Sequence, residues 1–340
     1  MTHKANIIIN HEPDEHAFAS PSKFETLESC PYFAKCSATK KEEPSAAAER
    51  GRLLHEAVYN DDVYASLFPE DREAVDYARQ TDIEPYDEEG YTIEFERKVN
   101  ICDREGKVVS FGTIDQLVYT EDQSYILVID RKFGRYPVKV AEANRQLYGY
   151  SLGVFQEFPN CLAIGARISQ PAVKTNGEVA EFTREENYED LLDYVCRVVE
   201  RAENATPEDA NPSPDNCKWC NKEACEACQN KTNADFDTIT AVVKSDQFSG
   251  EPTPEGVAFG DGVLRKIELA QSFLKTAEAK VRAYIFKAGG SEHYRINAGR
   301  STKTTDWKAV AEECNIPGEV IEAHTVVRLG EPYLTKVKSK

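Results

Sequence analysis

The sequence predicts an α/β fold, and three observations carry that prediction. Tyr91 to Val99, Val108 to Tyr119 and Tyr125 to Ile129 are rich in Val, Ile and Tyr and separated by short connections, so they read as an antiparallel meander of three strands. A stripe at Val140, Ala143, Leu147, Ser151, Val154 and Phe158 then steps by three and four, the period of a helix with one face on a core. Leu162 to Ile168 reads as a fourth strand, and Leu191, Val195, Val198 and Ala202 mark Asp190 to Ala202 as a further amphipathic helix. The sum is a mixed central sheet flanked by helices.

Upstream of the sheet, a segment initiated at Ser22 and a break at Pro44-Ser45 precede a helix over Ala46 to Tyr59, whose Leu53 and Leu54 face inward. The acidic stretch Asp61 to Gly90 reads as surface helix and loop. In the first strand Ile93, Phe95 and Val99 alternate as one buried face. The turn Glu121-Asp122-Gln123-Ser124 separates the second and third strands. These elements assign 1–228 to a core, 229–262 to a polar, Pro/Gly-punctuated linker, and 263–340 to a smaller α+β region. In that last region Val263, Ile267, Ala270, Leu274, Ala277, Val281 and Tyr284 repeat with 4,3 spacing until Gly289-Gly290. Such a helix either lies on the main domain or pairs with a second copy. Trp307 to Cys314 reads as a short helix between strands.

Composition narrows the function classes. The 340 residues carry 41 Lys+Arg and 59 Asp+Glu, a formal charge of −18, which argues against indiscriminate binding to nucleic acid or anionic membranes. The charge is uneven: Val263 to Val310 holds ten basic residues against four acids. No apolar run approaches the roughly 18 residues of a membrane span, and Met1 to His16 has no apolar signal region. Ten Cys without such a signal point to reduced thiols or a metal site in the cytoplasm.

Chemistry concentrates between Gly112 and Tyr150. Asp115 lies within one strand, and Asp130 and Lys132 end the next on the same face, with Arg131 opposite. Two carboxylates and an ammonium at paired strand ends suit a hard divalent cation, Mg²⁺ or Mn²⁺, while D-x-K taken alone is common and suits an ion pair at a strand edge better. Gln146 and Tyr150, four apart on a helix, could reach a substrate backbone lying over the sheet. His55 follows Gly51 on the upstream helix, where a lone His serves as core residue or as ligand. Downstream, Cys217, Cys220, Cys225 and Cys228 fall within twelve residues, a spacing that fits a Cys₄ zinc site or an iron–sulfur cluster. Cys102, Cys161, Cys196 and Cys314 read as small core residues.

In this order, Gly51 to His55, Gly112 to Asp115, Asp130 to Lys132 and Gln146 to Tyr150 resemble the four motifs of the PD-(D/E)XK nuclease superfamily, in particular its RecB-like and Cas4-like exonuclease branch. The resemblance spans roughly 20–228. It implies that His55, Asp115, Asp130 and the Arg131 carbonyl bind one or two divalent cations. Lys132 would position the attacking water, while Gln146 and Tyr150 would hold the DNA strand. Arg131 at the centre of D-x-K departs from the pattern and leaves that residue's outward side unusually polar.

The same resemblance implies a [4Fe–4S] cluster on Cys30, Cys217, Cys220 and Cys225, with Cys228 as alternative ligand, Cys36 as a second N-terminal candidate, and zinc as the competing metal. A softer likeness of Ser20 to His55 and of Gly299-Arg300-Ser301 … Trp307 to phage-encoded members makes Arg295, Arg300 and Lys303 candidates for tracking the DNA backbone. The expected function is a metal-dependent DNA exonuclease acting on duplex or single-stranded ends in recombination, repair or replication. The alternatives are a non-catalytic DNA- or protein-binding module and an endonuclease. An annealing protein or helicase, or a second copy of the chain, is the expected protein partner.

Overall fold

The computed structural model describes residues 4–10, 17–38, 46–134, 138–218, 220–221, 224–244 and 252–291, together with four short strands between 294 and 336. The chain divides into two compact units, Met1–Ala234 and Asp235–Lys340. The first opens with strand β1 (Asn6–Ile9) and five helices, α1 (Phe24–Ser29), α2 (Phe33–Ala38), α3 (Ala46–Ala57), α4 (Asp61–Ser66) and α5 (Pro69–Ala78). Helix α5 runs into a π-helical turn, Arg79–Ile83. Strands β2 (Tyr91–Cys102), β3 (Val108–Thr120) and β4 (Tyr125–Arg131) follow, then α6 (Arg145–Glu157), β5 (Ala163–Gln170), β6 (Thr175–Asn176), β7 (Ala180–Thr183) and α7 (Arg184–Asn204).

One mixed seven-stranded sheet results, in the order β1-β2-β3-β4-β5-β6, with β7 also on β5. The meander β2-β3-β4 is antiparallel, while β1 on β2 and β5 on β4 are parallel. The sequence anticipated the meander and the order helix, three strands, helix, strand. Helix α6 supplies the crossover that a parallel β4–β5 pair requires.

Strand β4 has a core on each face. Ile126 and Val128 pack with Leu147, Leu152, Phe155 and Val195 of α6 and α7, whereas Leu127 and Ile129 pack with Leu54 of α3 and Val75 of α5. A strand buried on both sides reads as a continuous apolar run, which is what Tyr125 to Ile129 shows. Helix α6 begins at Arg145, later than its apolar stripe, because the Asn144 side chain caps it by accepting the Gln146 N–H at 3.0 Å.

Several expectations change. Leu54 is fully buried but Leu53 is 38 % exposed, since adjacent helical residues point about 100° apart. The acidic stretch 61–90 is no mere surface: Asp71 and Asp82 are buried, each satisfied by arginine. Ile93 and Phe95 face the α3/α5 core, but Val99 and Ile101 face the α6/α7 core. The alternation of β2 therefore reverses between Phe95 and Val99.

The segment read as a linker is largely helical: α8 (Glu226–Val243) crosses the boundary between units, and α9 (Pro254–Lys287) begins before the expected start. Pro254 at the first turn and Thr253, which accepts the Gly256 N–H at 3.1 Å, explain where α9 starts. Along its stripe Val263 and Ala270 are buried, whereas Leu274, Val281 and Tyr284 are exposed. Gly289 and Gly290 have positive φ and end it. Beyond them, β8 (Tyr294–Asn297) pairs with β11 (Tyr333–Lys336), and β9 (Ser301–Thr305) pairs with β10 (Thr325–Leu329). The helix expected at Trp307 to Cys314 lies outside the described residues. No helix among the described residues is long and apolar enough to cross a membrane.

Candidate metal centre

At one end of the sheet the β3–β4 ladder stops at the pair Gln116–Ile129, and the strands part. Asp115 and Asp130 stand just beyond that last pair. The Arg131 N–H donates to Asp115 Oδ2 at 2.5 Å, so a carboxylate takes the place of the next ladder bond. The other oxygen, Asp115 Oδ1, lies 3.4 Å from His55 Nδ1 on α3. Three elements, α3, β3 and β4, thus converge.

A residue that sequence reasoning missed completes this corner. Glu96 falls opposite Asp115 in the β2–β3 register, between the pairs Phe95–Gln116 and Arg97–Ile114. It adopts φ +53°, left-handed backbone that is rare for a side chain with a Cβ and costs about 1–3 kcal/mol. That one residue reverses the alternation of β2. Strand β3 changes face at the same level, with Val118 in the α3/α5 core and Ile114 in the α6/α7 core. One ligand atom from each of His55, Glu96 and Asp115 lies within 4.8 Å of the others, a group able to hold a metal ion. The available sequence signal was two acids, Glu94 and Glu96, inside an otherwise strand-like run.

On the α6 side, Lys132 Nζ lies 2.9 Å from Asp130 Oδ2 and donates to Asp130 Oδ1 at 3.1 Å and to Gln146 Oε1 at 3.0 Å. The Gln146 amide donates to Asp130 Oδ1 at 2.8 Å and to the Tyr150 hydroxyl at 2.9 Å. Gln146 and Tyr150 therefore brace Asp130 and Lys132. Tyr150 is only 5 % exposed, so its hydroxyl is not laid out over the sheet as its helical position suggested. Of the motif glycines Gly112 gains a reason, whereas a Cβ on Gly51 would meet nothing within 4 Å. A Cβ on Gly112 would stand 2.9 Å from the Tyr150 ring and 3.0 Å from Pro21, so Pro21 and Tyr150 occupy the space its missing side chain leaves.

The electrostatics follow from this crowding. Burial opposes ionisation of Asp115, but the charge of His55 and its hydrogen bond outweigh that and hold Asp115 down at about 2. Burial disfavours His55 protonation, yet the Asp115 charge prevails and raises its pKa. Asp130 is raised, chiefly by burial and against the pull of Lys132. Lys132 is raised by Asp130 and Asp115 in spite of burial, so it is an ammonium.

The donors fit a hard divalent cation. Carboxylates and an imidazole are the appropriate ligands, and Asp130 Oδ2 is buried with no hydrogen-bond donor aligned on it, only the Lys132 charge beside it. His55, Glu96, Asp115 and Asp130 are the side chains available to hold it. Arg131 corrects an expectation: its side chain does not make a polar outer surface but is buried on the opposite face of the sheet.

The cysteines gather elsewhere in the same unit. Cys36 and Cys220 share thiol hydrogen bonds with Cys225, and Cys217 bonds with Cys228. Cys30 accepts the Asn211 N–H at 3.3 Å and is close enough to Cys217 and Cys225 to feel their charge. Cys30 thus meets Cys217 and Cys225, Cys36 meets Cys220 and Cys225, and Cys228 joins the group through Cys217. Cys225 is lowered to about 6, first by the Cys220 thiol and then by the N–H groups that open α8. This thiol-rich set fits a soft metal or cluster. Cys161 is buried as expected, Cys102 and Cys196 are half-buried, and Cys314 lies outside the described residues. Arg295 and Lys303 sit on β8 and β9 but their side chains are outside the described ones, and Arg300 lies outside the described residues.

Fold and site together define an α/β protein with a histidine–carboxylate–lysine centre at the end of a mixed sheet and a separate thiol cluster. The family model described as "Protein of unknown function (DUF2800)" matches residues 66–322, so the chain belongs to the DUF2800 family. That match takes in Asp115 through Tyr150 and Cys217 to Cys228, and begins after His55. Among solved structures, one described as "Crystal structure of SSO0001" is similar at 12 % identity, covering 67 % of this chain and 89 % of that chain, with a TM-score of 0.31. No curated protein matches the chain.

Proposed function

We propose that this chain is a metal-dependent DNA exonuclease of the PD-(D/E)XK type, RecB-like or Cas4-like, that hydrolyses phosphodiester bonds at DNA ends. The observation that carries the reading is the convergence of His55, Asp115, Asp130 and Lys132, from α3, β3 and the end of β4, on the point where the strands part. An ion pair at a strand edge would need only Asp130 and Lys132. It would not need Asp115 and Glu96 held beside His55.

In this reading His55, Asp115, Asp130 and the Arg131 carbonyl would hold Mg²⁺ or Mn²⁺, which would supply acidified water and charge neutralisation at the phosphate. Hydrolysis adds the water oxygen to phosphorus and breaks one ester P–O bond; the water gives a proton to solvent and the departing ester oxygen takes one up to leave as a hydroxyl. Lys132, an ammonium fixed between Asp130 and Gln146, donates to the attacking water or a phosphate oxygen and so sets the line of attack. Gln146 keeps Lys132 and Asp130 at that spacing, and the buried Tyr150 hydroxyl keeps Gln146. The cysteines hold a [4Fe–4S] cluster or zinc that ties the N-terminal segment to the end of the core, a stabilising role.

The test is an anaerobic assay on end-labelled linear duplex and single-stranded DNA with Mg²⁺, Mn²⁺ or EDTA, beside Lys132→Ala. Metal-dependent loss of nucleotides from an end, absent in the variant, is expected. No cleavage with any metal, from protein whose cysteine cluster is loaded, overturns the assignment in favour of a binding module. Cleavage of closed circular DNA would move it to an endonuclease.

A further inference from the structure

Behind the sheet, on the face opposite Lys132, lies a buried ionic group that the nuclease reading leaves unused. The Arg131 side chain is 1 % exposed and its Nε donates to Asp82 Oδ2 at 3.0 Å, where Asp82 is 0 % exposed. The other end of the guanidinium donates to Gln116 Oε1 on β3. Arg167 on β5 donates to the second Asp82 oxygen at 2.8 Å, and Gln116 Nε2 donates to the Asp82 carbonyl. Two guanidiniums therefore share one carboxylate in an apolar core beside Phe95. Desolvating such a group costs more than packing apolar residues of the same size, so stability alone is a poor reason for it.

Its carrier is the π-helical turn Arg79–Ile83, a type of irregularity often found at functional sites. The same turn sends Arg79 the other way, to donate to the carbonyls of Ala57 at 2.7 Å and Val58 at 3.0 Å. Those carbonyls end α3, two and three residues after His55. One five-residue turn thus grips the helix that carries His55 and, through Asp82, the residue whose backbone N–H fixes Asp115.

We propose that the Arg79–Ile83 turn, through Asp82 with Arg131, Gln116 and Arg167, is the positioning device of the metal centre, setting His55 and Asp115 at ligand spacing. The proposal rests on the metal-centre reading above. The side chains of Asp82, Arg131 and Gln116 act through Asp115 and are positioning groups. Arg131's fork engages β4 to the π-helical turn and to β3 at once, which a lysine's single ammonium cannot do. A slip of β4 would carry the Arg131 N–H away from Asp115 and free that carboxylate to turn.

Arg131→Met tests this cleanly, because it leaves Asp82 paired one-to-one with Arg167 and keeps the apolar stem. Expected are a folded variant, Mn²⁺ binding by calorimetry weakened roughly 10–100-fold, and faster hydrogen exchange of the residue 131 amide. Arg131→Lys, which retains the buried charge, should fold and lose Mn²⁺ affinity to a smaller degree, and it serves if the Met variant does not fold. Unchanged Mn²⁺ affinity and unchanged amide exchange in the folded variants would overturn the proposal and leave the group a structural one. If the parent protein itself binds no Mn²⁺, the metal-centre reading fails, and the residue 131 amide still decides whether the clamp holds that backbone.

Discussion

The oxygen-donor centre and the cysteine cluster are built on opposite plans. Four of the six clustered thiols come from one stretch, Cys217 to Cys228, so most of the ligand set is local in sequence and needs only the N-terminal segment brought to it. The oxygen centre draws one or two residues from each of α3, β2, β3, α6 and the end of β4, and its ligand spacing is set by a strand that reverses face and by ion pairs behind the sheet. Loss of one local cysteine should therefore act on the fold, whereas loss of one oxygen ligand should act on chemistry and spare the fold.

The largest effect expected is from Asp115→Ala, which should abolish cleavage with the far-ultraviolet spectrum unchanged. Retained activity in purified variant, with contaminants excluded, would break the contrast. Next, Cys225→Ser should lower the metal or iron content of purified protein and its melting temperature together, because this thiol meets both Cys36 and Cys220. Full metal content at the parental melting temperature would show that the cluster closes without Cys225.

A pH series sharpens the comparison. In metal-free protein the raised His55 pKa means that its pairing with Asp115 contributes stability below the ordinary His value of 6.5, lost as pH rises through the raised one. A cation needs neutral His55, so Mn²⁺ should stabilise more as pH rises through the same window. Thermal melts between pH 6 and 9, in EDTA and in Mn²⁺, should diverge upward. Parallel curves would remove His55 from the ligand set.

The smallest effect expected is from Glu96→Gly. Glycine accepts φ +53° without the Cβ clash, so the variant should gain about 1 kcal/mol or less in urea unfolding. It should bind Mn²⁺ more weakly. A stabilised variant with undiminished affinity would make Glu96 a bulge residue and nothing more.

Much of this was legible in the sequence, and where it was not the cause is physical. The meander, the crossover helix, the stop at Gly289-Gly290 and the positions of His55, Asp115, Asp130, Lys132, Gln146 and Tyr150 follow from periodicity, turn residues and short-range spacing, all of which a chain carries locally. The assembly of the cysteines was legible too, as far as four thiols in twelve residues go. Glu96 was not, because strict alternation assumes every strand residue is extended, and a single left-handed residue shifts the phase of everything after it. Asp82 and Arg131 read as surface charges since burial of an ion depends on which partners the fold delivers, and theirs lie 15 to 85 positions away in the chain. Local composition and spacing determined which elements form and where along them the candidate side chains fall, while reading those side chains as one site rested on the resemblance of the four motifs. Tertiary packing alone decided which carboxylates face one another and which ions lie buried, since those depend on strand register and on groups brought together only when the sheet closes between its two cores.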